Sequence, residues 1–227
     1  MNRYICTNRN PIYMQQVANI LEKNKKTILN FFNISENYEL SFNVYIYDTI
    51  EELVAGMRAR GFSDMPSYMC ACQKDEDNSL NFFEPKDNPD NNEYSKEEYE
   101  NVIFHEEIHI IQYLIYGTQP EWLTEGIAKY LDGTYKKGIK YLLDNYIDIN
   151  NLPSMSEIEN EFGKHEYDSY DYSYLMVSYI IETMGKDEFL IAIKSKENIK
   201  LLSNDLVSKS VNYYLNKYSL ESISKSK

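Results

Sequence analysis

Three observations predict an α+β protein with a small early mixed sheet, a helical second half and an active helix where the two meet. Residues 12–32 place apolar side chains at helical spacing; residues 39–47 alternate apolar and polar; from Ser95 onward the pattern is helical almost to the end. The length of 227 residues suits one domain, with residues 1–94 as its helix-and-sheet portion and 95–227 as its helical portion.

The first helix is predicted from Ile12, Val17, Ile20, Leu21, Ile28, Phe31 and Phe32, which fall on one stripe. In YELSFNVYIYD, Leu40, Phe42, Val44 and Ile46 alternate with Glu39, Ser41, Asn43 and Tyr45, the mark of a strand with one buried face. Thr49 and Glu52 form a capping box for a short helix that Gly61 closes. The runs SYMCACQ and SLNFFEP flank the polar turn KDEDN as a hairpin, and KDNPDNNEY reads as a loop. Ser95 and Glu98 repeat the capping pattern, and Gly117 stops the helix they open. A further helix starts near Pro120 and ends at Gly133. Others are expected at roughly 135–147, 154–162, 168–184, 186–195 and 203–217.

Composition narrows the function classes. Charged residues make up 26% and the formal net charge is −13, which disfavours a nucleic-acid partner, because that binding is driven by lysine and arginine releasing counterions. No apolar run approaches a membrane span, and MNRYICTNRNPIYMQQ lacks the uninterrupted apolar core of a signal peptide, so a cytoplasmic chain is the expectation. Cys6, Cys70 and Cys72 are odd in number and fit reduced thiols; Cys70 and Cys72 lack the second pair that a structural zinc would need.

The chemistry concentrates in FHEEIHIIQYLIYG. His105 and His109 stand one helical turn apart and can bind the same ion, while Glu106 is placed to act on a metal-activated water without ligating the metal. A catalytic zinc needs a third protein ligand. A third histidine continuing the same helix is excluded, since Gln112 and Ile115 stand where glycine and histidine would be required. Downstream, QPEWLTEGIAKYLDG offers Glu125 on a following helix after a short loop.

PEWLTEGIA resembles the P-x-W-L-x-E-G-x-A signature of gluzincin metallopeptidases of the peptidase MA-like type, whose glutamate is the third zinc ligand. YDYSYLMVSYIIETMG resembles a later helix of that family through Tyr170, Ser173, Val177, Tyr179, Glu182 and Gly185. The resemblance implies a zincin-like fold and a zinc-dependent peptidase acting on peptide or protein substrates. In it His105, His109 and Glu125 would bind Zn2+, Glu106 would be the general base and Tyr170 the oxyanion donor. It also implies an edge strand that pairs with extended substrate, for which residues 79–84 are the candidate, with Tyr68 and Phe82 or Phe83 lining the cleft.

Other residues get plainer readings. His165 is read as solvated; Glu107, Glu121 and Asp132 as solvent-facing or as supports for the ligands; Trp122 as core. Thermolysin-like enzymes hold the second histidine with an aspartate four residues after the third ligand, where this chain has Lys129. That substitution keeps open an alternative function: a zinc-containing binding or regulatory module that no longer cleaves. Oligomeric state has no signature in the sequence.

Overall fold

Asn10 accepts backbone N–H groups of Ile12 and Tyr13 at 3.1 and 3.3 Å, and with Pro11 in the first turn it starts α1, Pro11–Phe31. The computed structural model describes residues 3–6, 10–61, 71–74, 78–84, 96–133, 135, 137–160, 162–163 and 168–224. They form two compact units, Met1–Gly117 and Thr118–Lys227. The architecture is α+β, as the sequence predicts.

In the first unit the strands β1 (Arg3–Cys6), β2 (Asn43–Tyr47), β3 (Ala71–Lys74) and β4 (Ser79–Phe83) form a sheet of order β1-β2-β4-β3. β1, β2 and β4 run parallel and β3 antiparallel, so the expected hairpin is β3–β4 and the sheet is mixed. β4 is interior, which corrects its assignment as a peptide-pairing edge: its N–H and C=O groups are already shared with β2 and β3. Among the described residues, β3 is the edge on that side.

Val44 and Ile46 sit opposite Leu80 and Phe82, and all four are fully buried. Phe82 therefore packs the core and lines no cleft, a second correction. α1 contributes Val17, Leu21, Ile28 and Leu29 to the core, whereas Ile12 is 69% exposed, outside the stripe it was expected to join.

α2 (Ile50–Ala59) begins at Thr49, whose hydroxyl accepts from Glu52 N at 3.2 Å. The Glu52 carboxylate returns to Asp48 N, one residue before the cap. The helix ends at Arg60, whose guanidinium lies 3.7 Å over the Tyr45 ring and donates to Ser79, Tyr47 and Asn81. Those bonds satisfy polar side chains that the sheet buries.

α3 (Lys96–Tyr116) packs on α1 and on β3 and β4. Tyr99 hydroxyl donates to Phe83 O and accepts from Phe83 N at 3.2 Å, fixing the helix to the sheet. Ser95, and with it the second capping box, lies outside the described residues.

The second unit is helical: α4 (Glu121–Asp132), α5 (Gly138–Asn145), α6 (Met155–Asn160), α7 (Ser169–Met184), α8 (Lys186–Ala192), α9 (Lys196–Ser203) and α10 (Leu206–Ser224). α9 is not among the predicted helices; Ser195 caps it through Asn198 N at 3.3 Å. α4 packs against α7. A Cβ at Gly126 would stand 2.5 Å from both Ser173 O and Val177 Cγ2, so only glycine lets the two helices approach this far.

Candidate metal centre

The helix carrying the histidines ends at Gly117, with φ +70° and an N–H that bonds Tyr113 O at 2.8 Å. Within it His105 and His109 are half-buried, and their Nε2 atoms converge to 3.0 Å with ring planes at 86°. α4 starts on Pro120, which proves to be the cap residue rather than the first helical one. Its carbonyl accepts from Leu123 N and Thr124 N at 2.9 and 3.1 Å. Trp122, Leu123, Ile127 and Ala128 are fully buried, while Glu125 is half-buried.

Among the described residues, His105, His109 and Glu125 form one group that could hold a metal ion: one ligand atom from each lies within 4.8 Å of the other two. Two imidazole nitrogens and a carboxylate oxygen suit zinc. Two nitrogens on one tetrahedral zinc stand about 3.3 Å apart, from bonds of about 2.05 Å, close to the separation found. Glu106, next to the first imidazole, is half-buried as well.

Glu107 is 1% exposed, which corrects the solvent-facing part of its reading. Burial pushes its carboxyl well above the ordinary range, the charge of Glu22 adds to this, and Lys25 opposes it. Those neighbours belong to α1, and two residues of helical rotation carry Glu107 about 200° away from His105. It therefore faces away from the histidines. Among the described residues its Oε2 has no hydrogen-bond partner.

Glu121 is exposed and Asp132 half-buried, and neither belongs to the group. Trp122 is core, as expected. Tyr170 is 37% exposed in the first turn of α7, its ring 5.0 Å from that of Phe162, edge to face. His165, Tyr68 and Cys70 lie outside the described residues, as does the side chain of Cys72.

Lys129 has its ammonium 5.4 Å from the Tyr170 ring centroid and 5.9 Å from that of Tyr135. Tyr135 donates to the buried Asp171 carboxylate and stacks on Tyr174 at 4.4 Å. Burial raises the Tyr135 phenol strongly, and the bond to Asp171 adds to it. The sequence shows no sign of this cluster, since Tyr135 sits outside any helix and its partner is 36 residues away.

Residues 88–226 match the Peptidase MA superfamily, more than half of the chain, and the protein belongs to that superfamily. No curated protein matches it. The match spans the histidine helix, α4 and α7. No helix of the described residues is long and apolar enough to cross a membrane.

Proposed function

We propose that this chain is a gluzincin-type zinc peptidase, with residues 1–227 acting as one catalytic domain. The observation that carries the reading is the convergence of two imidazoles and the Glu125 carboxylate, with Glu106 beside the first imidazole. Superfamily membership supports it.

His105 and His109 offer their Nε2 atoms and Glu125 a carboxylate oxygen. When bound, zinc supplies Lewis-acid chemistry: it lowers the pKa of a water toward about 7 and polarises the scissile carbonyl. Glu106 accepts the proton of the attacking water and passes it to the departing amine nitrogen. Tyr170 donates to the developing oxyanion. The β3 edge presents backbone groups to an extended peptide.

The test is metal content measured with cleavage of a quenched-peptide library. The wild type is expected to hold one zinc per chain and His109→Ala to hold none. Glu106→Gln is expected to keep the metal while cleavage falls by at least about a hundredfold. Metal without cleavage in the wild type would favour the non-cleaving binding module. A chain that takes up no metal would overturn both readings.

A further inference from the structure

The helical unit contains an open groove of about 1250 Å³, running from the first turn of α4 past α6 to α9 and the start of α10. Its floor is apolar, with Pro153, Ile199 and Val207 buried. Leu201, also lining it, is 75% exposed, which leaves a large apolar side chain turned to water. Five carboxylates surround these residues, from Glu121, Glu157, Glu159, Glu197 and Asp205, against the ammonium groups of Lys196 and Lys200. Glu157 is engaged locally, accepting from Ser154 N and Oγ at 2.7 Å.

We propose that this groove docks a cationic, apolar-anchored stretch of the polypeptide substrate. The proposal rests on the peptidase reading and adds the substrate class. Charge selects the sign of the ligand: five carboxylates against two ammonium groups line the groove, and their summed field favours a lysine or arginine. Leu201 and the floor select its other half, because an ion alone would leave them wet.

Size selects a polymer, since small-molecule sites run to about 1000 Å³ and are far more enclosed. Position supplies the link to the chemistry. Glu121 lines the groove one helical turn before Glu125, about 6 Å along the α4 axis, which is the span of about two extended residues.

The probe is a fluorescein-labelled decapeptide of alternating lysine and leucine, titrated by anisotropy against full-length Glu106→Gln so that no cleavage intervenes. Adding Glu159→Gln with Glu197→Gln is expected to weaken binding about tenfold and Leu201→Ser about threefold, with a glutamate-for-lysine probe not binding. All three positions are exposed, and circular dichroism checks that the fold is kept. In the otherwise wild-type chain, the double substitution is expected to raise KM for a cleavable peptide extended by the lysine-leucine stretch. Its kcat and the turnover of a short neutral peptide stay unchanged.

An unchanged probe Kd in the substituted proteins, or equal binding of the acidic probe, would overturn the proposal. If no peptide is cleaved while probe binding still depends on Glu159, Glu197 and Leu201, the peptidase reading falls and the groove's preference for a cationic segment stands.

Discussion

Helix α3 lays Tyr99, Ile103, Ile108 and Ile111 into its unit's core as full-sized side chains, whereas α4 meets α7 at a bare backbone, Gly126 under Ser173 O. The first arrangement has slack: many contacts share the load, and the helix even tolerates a buried acid, Glu107, with an oxygen that finds no hydrogen-bond partner among the described residues. The second has none, because a backbone carbonyl cannot rotate out of the way as a side chain can. The histidines therefore sit on a helix held by area, and Glu125 on one held by clearance. Substitutions that add or remove bulk should hurt the two helices very differently.

The largest effect is expected from Gly126→Ala. The new Cβ needs α4 and α7 to part, which should cost roughly 3 kcal/mol; urea unfolding measures it. A loss under about 1 kcal/mol would show that α4 has slack too, and the contrast would fail.

Glu107→Met comes next, with the opposite sign. Removing an unpaired buried polar group in favour of an unbranched apolar one should stabilise by about 1 kcal/mol. Zinc content should not change, because Glu107 faces α1. Lost zinc would instead make Glu107 a support for the histidines.

The smallest effect concerns Asp171, beneath α4 through Tyr135 and Lys129. Burial raises its carboxyl, and the bond from Tyr135 lowers it only in part. A carboxyl raised in the folded state contributes its stability below the unfolded value of about 3.9 and loses it as pH rises through the folded one. At neutral pH the ionised group therefore costs stability. Asp171→Asn should gain about 0.5 kcal/mol at neutral pH, and the gain should fade as pH drops toward about 3. A gain that grows in acid would reverse the sign assigned to Asp171.

Features written in neighbouring residues were legible in the sequence. Thr49 with Glu52, the β3–β4 hairpin, and the glycines at 117 and 133 specify their turns and caps locally. The three metal-ligand candidates span only 21 residues, from His105 to Glu125, so spacing and a family signature found them together. Long-range pairing was not legible. β1 exists by virtue of a parallel partner 40 residues on, and β4 became interior because β2 reached it across a crossover. Burial of Glu107 was missed because its charge predicts water, while its helical face, occupied by α1, decides otherwise.

Trp122 gives α4 an optical signature of its own. It is the single tryptophan beside 22 tyrosines, fully buried, with an indole nitrogen that finds no hydrogen-bond partner among the described residues, three residues before Glu125. Light absorbed beyond the tyrosine band is therefore emitted from one helix, at the short wavelengths of a dry indole. A small displacement of that helix would register as a change of colour, without any label being attached.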